Sequence, residues 1–364
     1  MININNIVYV DFLIEGSSML DQLIKFNYLV IEETLGLNAP MFEISLTLMD
    51  DKALSKFKIN QSCSIKFGKS PKTAQTYQFR MINYTLDTNP GEGGGFQVIF
   101  SGISDVMDFF FKKDIQVFHD KASYQALSGA ISTVTPKIEY TSSDVQHWIR
   151  HNISEREFAL RVLMNTWISS ETFPIFGLSI EKKLIVKDAK KALNAVKATI
   201  KNTPSCSPTM ICYTNVHVES NNAITSLMVG SGKLMPILGV KDWKRSFVST
   251  DVNALNEKTY VEKVSSNNFK THLDTYNTHG NYFAAEARNL TKWSQLEMNI
   301  MYVTTEIYIP EGILTVGDAV TFIPESKGIK LKSLSGNWIV SGKTYRSGKR
   351  DVVTNLKLVR DFLN

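Results

Sequence analysis

Alternation at period two is the strongest constraint in this sequence. A chain whose apolar residues recur at every second position can hide them only as a strand with one dry face and one wet face. The pattern governs both ends of the chain. Near the start, Phe42, Ile44, Leu46 and Leu48 fall on one face and Glu43, Ser45 and Thr47 on the other. Near the end, Val352, Thr354, Leu356 and Leu358 oppose Val353, Asn355, Lys357 and Val359. Across the first 111 residues it predicts strands over 8–14, 26–33, 42–49, 62–67, 77–86 and 96–101. Gly36, Pro40, Gly68 with Pro71, and the cluster Gly91, Gly93, Gly94 and Gly95 punctuate them. Short strands at such intervals suggest a small barrel or sandwich.

The middle of the chain changes period. Asp120 is placed to cap a helix over 121–133 whose Tyr124, Leu127 and Ile131 share a stripe. Ser154 and Glu157 make a capping box, with Ile153 and Phe158 at the staple positions. The helix they start is expected to run through Trp167, with Phe158, Val162, Leu163 and Trp167 packed inward. A hairpin over 176–180 and 183–186 turns at Glu181 and Lys182. A strand over 209–219 is expected to put Met210, Cys212, Val216 and Val218 on one face and Ile211, Tyr213, Asn215 and His217 on the other. The polar stretch 250–282 reads as a mobile excursion, followed by a helix over 283–298 with Phe283, Ala287, Leu290 and Trp293 on a common side. No internal repeat is visible. The fold class is therefore mainly β (α+β), with two β-rich, barrel-like ends around a mixed α/β middle.

His147 and His151 have a spacing that shares a metal on a helix, but the Glu of H-E-x-x-H and a third ligand are missing, so a structural role is expected. Cys63, Cys206 and Cys212 are an odd set without a C-x-x-C pair, which argues against a secreted disulfide framework and a zinc knuckle. Cys206 and Cys212 are expected to be small buried hydrophobes. The glycine cluster lacks the Lys-Ser/Thr of a phosphate loop and reads as a hairpin tip. There is no G-x-S-x-G, and no carboxylate pair stands out among 35 acids. No catalytic, cofactor-binding or metal residue is therefore named, no cofactor is expected, and the chain is not expected to be an enzyme. Phe109, Phe110 and Phe111 read as a core-crossing strand end or a subunit contact.

Composition sets the remaining bounds. With 43% hydrophobic and 21% charged residues over 364 positions, the chain is globular, with room for two or three domains. A net charge of +5, from 40 basic and 35 acidic residues, is too balanced for a nucleic-acid footprint. The densest basic stretch, with Lys182, Lys183, Lys187, Lys190, Lys191, Lys197 and Lys201, reads as a solvated face, with DNA or an acidic partner as the alternative. No leader is visible and no apolar run reaches the ~18–20 residues of a bilayer span, so synthesis in a reducing cytosol without membrane insertion is expected.

Three stretches, in order, resemble the baseplate hub protein of contractile-tailed bacteriophages, which is related to the N-terminal part of type VI secretion spike proteins. The first is 102–133, with Phe118, His119, Asp120 and Lys121 before an amphipathic helix. The second is 151–163, where Glu157, Phe158, Arg161 and Leu163 take the places of a "D/E-F-x-x-R-x-L" helix. The third is 283–364, with the Gly317-Asp318 turn and the strand from Gly336 through Trp338 to Val340. The resemblance implies two tail-tube-like antiparallel β-barrels: residues 1–111 as the first, and 206–249 plus 299–364 as the second. Residues 112–205 would be an inserted mixed domain, with 250–298 packing on it. It implies a structural hub, a homotrimer whose six barrels join a six-fold tail tube to a three-fold central spike. Further implied partners are other baseplate proteins, with DNA touching the lumen only. The setting would be the virion tail baseplate, assembled in the host cytoplasm. The absence of a following oligosaccharide-binding domain or β-helix implies a separate spike protein, and hairpins such as 77–101 are expected to pair with neighbours. The alternatives are a tail-associated peptidoglycan hydrolase and a glycan-binding tail protein using exposed Trp338 and Tyr345.

Overall fold

A computed structural model describes residues 9–19, 24–48, 57–87, 95–169, 172–202, 207, 209–220, 235–238, 245–248, 289, 292–293, 296–297, 299–310, 312–324, 332–348 and 352–360. The first seven strands are β1 (Tyr9–Ile14), β2 (Ser17–Ser18), β3 (Ile24–Thr34), β4 (Met41–Leu48), β5 (Ser62–Gly68), β6 (Gln75–Asp87) and β7 (Phe96–Ser104). Six of them are the predicted strands with ends moved by a few residues. They pair antiparallel in the order β2-β1-β5-β6-β7-β4-β3 and curl over one core. Aromatic rings fill it, with Phe57 and Phe100 centroids 4.2 Å apart and Phe42 and Phe79 4.8 Å apart. Gly102 lets β7 cross closely: a Cβ there would fall on the Phe42 ring and the Arg80 carbonyl.

The middle contains α1 (Met107–Phe111), β8 (Lys113–Lys121), α2 (Ser123–Ala130), β9 (Thr135–Glu139), β10 (Gln146–Ser154), α3 (Glu155–Met164), β11 (Pro174–Leu178), β12 (Lys183–Asp188), α4 (Ala189–Asn194) and β13 (Val196–Lys201). Strands β8 and β10 form a ribbon, and β11-β12-β9 a small sheet in which β9 runs parallel to β12. Leu127, Trp148, Phe158, Leu163 and Phe176 share their core.

Asp120 is not a helix cap: it lies in β8 with φ 51°, because β8 continues to Lys121, paired to Gln146. The N-cap of α2 is Ala122, whose N–H donates to the Gln125 side chain, while Ser123 N–H donates to buried Asp144. The capping box of α3 forms as expected, with Glu157 N–H to Ser154 Oγ at 3.1 Å and Ser154 N–H to Glu157 Oε2 at 2.8 Å. That helix stops at Met164, short of Trp167, because the Asn289 amide takes the Met164 and Thr166 carbonyls at 2.8 Å each. The phenylalanine run is a helical turn and not a strand end: Phe109 is buried and Phe111 exposed.

The last strands are β14 (Met210–Cys212), β15 (Asn215–Ser220), β16 (Met235–Leu238), β17 (Arg245–Val248), β18 (Asn299–Thr305), β19 (Ala319–Ile323), β20 (Gly336–Ser347) and β21 (Val352–Arg360). Strands β16 and β17 pair only with each other among the described residues. The others follow the order β14-β13-β19-β20-β21-β18-β15 around Ile200, Ile211, Phe322, Trp338, Leu356 and Leu358, with β13 parallel to β14 and β19. The single strand expected over 209–219 breaks at Thr214, whose N–H donates to the Thr304 carbonyl. The break shifts the phase, so Ile211 and Tyr213, then Val216 and Val218, face the core while Met210 is exposed. Of the helix expected over 283–298, Asn289, Lys292, Trp293 and Leu296 are helical, and Trp293 packs 4.9 Å from Phe176. Phe283, Ala287, Leu290 and the stretch 250–282 lie outside the described residues.

One strand unites the two ends. Along one edge β20 pairs first with β19 through residues 336–339, then with β3 through residues 342–347, while β21 lines its other edge. The described residues thereby form one mainly antiparallel, curled, 14-stranded sheet over two separate cores.

Candidate functional site, an extended assembly surface

The candidate chemical residues do not converge. His147 and His151 lie on strand β10, both exposed, and four residues of strand span about 13 Å. Asp120 N–H donates to His147 Nδ1, and the His119 ring stands edge-on 5.2 Å away. No group of three metal-ligating side chains occurs among the described residues. Trp338 and Tyr345, expected as exposed sugar platforms, are buried: the Trp338 N–H donates to the Leu334 carbonyl and the Tyr345 hydroxyl to the Ile309 carbonyl. Cys212 is disulfide-bonded, which corrects its reading as a small buried hydrophobe, and Cys206 lies outside the described residues. Cys63 is buried and free, and burial pushes its thiol up to about 12. Of the glycine cluster only Gly95 is described, with φ 106°, beside the β6–β7 pairing that makes the hairpin.

The lysine-rich stretch is not one solvated face. Lys187 is buried within β12 and its Nζ lies 2.5 Å from Asp318 Oδ1. Asp318 belongs to the Gly317-Asp318 turn; Gly317 has φ 81°, and Asp318 Oδ2 accepts from Thr315 N–H at 2.8 Å and its hydroxyl at 3.1 Å. A second buried pair sits where β20 meets β3. Lys343 and Glu33 side chains are fully buried, 3.4 Å apart; Glu33 also accepts the Ile180 N–H, and Lys343 donates to the Leu314 carbonyl at 2.8 Å. Both pairs bridge segments distant in sequence. A signal for the second was present: Glu33 continues the buried phase of Leu29 and Ile31, and Lys343 that of Tyr345.

What the geometry does build is a surface. Strands β6-β7-β4-β3-β20-β21-β18-β15 follow one another in antiparallel order, so one run of eight strands spans both cores. Its face away from the two cores is polar over β3, β4 and β7, whereas Ile339, Val359 and Ile300 on that face of β20, β21 and β18 pack into a further apolar cluster with Phe173, Ile175 and Leu193. Asn27 donates to Ser45 and Thr47, Gln97 donates to Ser45, and the Tyr28 hydroxyl donates to Glu43 at 2.8 Å. Burial first, then Glu43, raises the Tyr28 hydroxyl above its ordinary value, and the Arg346 guanidinium lies 5.8 Å over its ring. Among the described residues both ends of the run are open. At one end, β5 pairs only as far as Arg80, so residues 82–87 of β6 have no described strand on their outer edge. There Tyr84 and Leu86, opposite Phe100 and Val98, face the core side yet are 38% and 39% exposed. At the other end β15 pairs, among the described residues, only with β18, and its Val216 and Val218 are half-buried on the core side.

No protein-family model and no curated protein sequence matches the chain. Solved structures share its fold over nearly the whole length. The tail protein from Neisseria meningitidis MC58 is 13% identical, with 98% of this chain and 97% of that one covered at a TM-score of 0.60. The 43 kDa tail protein of prophage MuSo2 from Shewanella oneidensis is 11% identical, with coverage of 97% and 96% and a TM-score of 0.57. An Escherichia coli component of the type VI secretion system, described as structurally similar to the T4 bacteriophage tail proteins gp27 and gp5, is 8% identical, with coverage of 96% and 76% and a TM-score of 0.51. The chain thus has the fold of these tail proteins.

Proposed function

We propose that this chain is a structural hub of a phage tail baseplate, three copies forming a ring that joins a six-fold tail tube to a three-fold central spike. The observation that carries the reading is the eight-stranded antiparallel run whose two edges are open among the described residues. Exposed strand edges are liabilities that soluble proteins cover. Because the number of strands is even, the edge strands β6 and β15 run in opposite directions. Docking β15 of one copy on β6 of the next is then antiparallel, and head-to-tail repetition closes a ring. Such a contact would cover Tyr84 and Leu86 with Val216 and Val218 of the neighbour. Residues 1–111, and 206–249 plus 299–364 together with β13, would act as two tube-like units per chain, with the rest of 112–205 and 250–298 outside the wall. A tube protein, a spike protein and other baseplate proteins are the partners, and complementary surfaces do the work without a catalytic group.

The test is assembly. Native mass spectrometry of the wild-type chain should give a trimer, alone or with its tube or spike protein. Tyr84→Lys with Leu86→Lys should give a folded monomer with an unchanged circular dichroism spectrum. A wild-type chain that stays monomeric with every tail protein encoded beside it would refute the proposal.

A further inference from the structure

We propose that Lys187 and Asp318 are the precursors of an intramolecular amide cross-link that ties β12 to the turn before β19. Three features set this pair apart from an ordinary ion pair. First, both side chains are withdrawn from water, at 7% and 9% exposure, and touch at 2.5 Å. Every residue of β12 after Lys183 is buried, and the stem of Lys187 lies against the turn: its Cδ is 3.9 Å from the position a Cβ on Gly317 would take, with Ile175 and Leu35 side chains equally near. Second, the neighbours of the ammonium among the described residues are two carboxylates, Asp318 and, at 3.9 Å, Glu139. Lys343 also faces a carboxylate, Glu33 at 3.4 Å, but it has one carboxylate neighbour among the described residues, donates to the Leu314 carbonyl and lies 4.9 Å over the Tyr345 ring. Third, the far oxygen of Asp318 sits between two donors, the N–H and hydroxyl of Thr315, while the near oxygen faces the amine.

This arrangement has the parts of an acyl-transfer site. Proton transfer from Lys187 Nζ to Asp318 Oδ1 along their contact frees the nitrogen lone pair. The Nζ lone pair attacks Cγ of Asp318, and the negative charge gathers on Oδ2, where the two Thr315 donors receive it. Glu139, whose other oxygen pairs with Lys137 at 2.9 Å, closes from 3.9 Å to hydrogen-bond distance, takes a proton from the nitrogen and returns one to Oδ1. The Cγ–Oδ1 bond breaks and water leaves past Glu139, whose side chain is 42% exposed. One C–N bond forms, one C–O bond breaks, one water is released, and no oxidant or reductant is involved. The product replaces two buried charges by one neutral amide, removing their desolvation cost. It would staple the inserted segment to the C-terminal sheet across 131 residues of chain.

The wild-type protein suffices for the test. Its intact mass, measured after reduction and denaturation, is expected to be one water below the sequence mass, and digestion should yield a branched peptide joined through positions 187 and 318. Asp318→Ala should restore the full mass. Glu139→Gln, at a half-exposed site, should leave the chain folded and slow cross-link accumulation about a hundred-fold. Full sequence mass with both peptides linear, after long incubation of folded protein at neutral pH, would overturn the proposal, as would a missing water mapped to any other pair.

Discussion

Lys343→Met isolates the seam where the two ends of the chain meet. The substitution keeps the volume of the stem and removes the ammonium, leaving the fully buried Glu33 with the Ile180 N–H as its remaining partner among the described residues. Removing one member of a buried ion pair costs about 3–5 kcal/mol, most of it the penalty of the orphaned charge. Adding Glu33→Gln removes that charge. What remains lost is chiefly the bond from Lys343 to the Leu314 carbonyl, about 1–2 kcal/mol. The double variant should therefore be more stable than Lys343→Met by roughly 2 kcal/mol, although it carries one substitution more. Urea unfolding followed by far-ultraviolet circular dichroism reads the difference as a midpoint order: wild type, then double, then Lys343→Met. A double variant less stable than Lys343→Met, or a single substitution costing under about 1 kcal/mol, would refute the view that the seam is governed by paired charge.

Further expectations follow from local structure. Ser154→Ala should cost about 1 kcal/mol by opening the cap of α3, measured by thermal or urea unfolding. The backbone N–H of Ser154 and then its hydroxyl hold the Glu157 carboxyl below its ordinary value, so its contribution is full above the usual carboxylate range and fades as pH falls through the lowered value. Accordingly Glu157→Ala should cost about 0.5 kcal/mol at pH 7 and close to nothing once the wild-type carboxyl is protonated. The Cys63 thiol, buried and pushed up to about 12, should resist alkylation in the native protein at pH 8 and react on unfolding, as peptide mapping would show. Trp338→Ala should cost about 3–5 kcal/mol, since its indole fills the C-terminal core and lies 4.3 Å under the Arg360 guanidinium.

Strands were the most legible part of the sequence because alternation is local: Phe42 to Leu48 and Val352 to Leu358 show their faces without a partner in view. The Ser154–Glu157 cap was readable for the same reason. Features set by distant groups were not. The end of α3 is fixed by Asn289, far along the chain, and the turn of Asp120 by the length of the ribbon with β10. The phase break at Thr214 depends on the Thr304 carbonyl, and the alternation over 209–219 cannot reveal it. Lys187 looked like one cation among many, since only the fold brings Asp318 to it. The eight-stranded surface was half legible: the strands on both sides were expected, but not that β20 would run past β19 onto β3.

That overrun has a consequence for how the chain comes to be folded. The strand that completes the N-terminal sheet is synthesised near the end, so β3 must wait with one edge unpaired while nearly all the rest of the protein is made. Pairing between such distant segments is slow, and an open apolar sheet in the interval invites association with other chains. A fragment holding only the first seven strands is thus an unfinished sheet and not an independent module. Only a chain translated through β20 can close the edge of β3 and complete the eight-stranded surface.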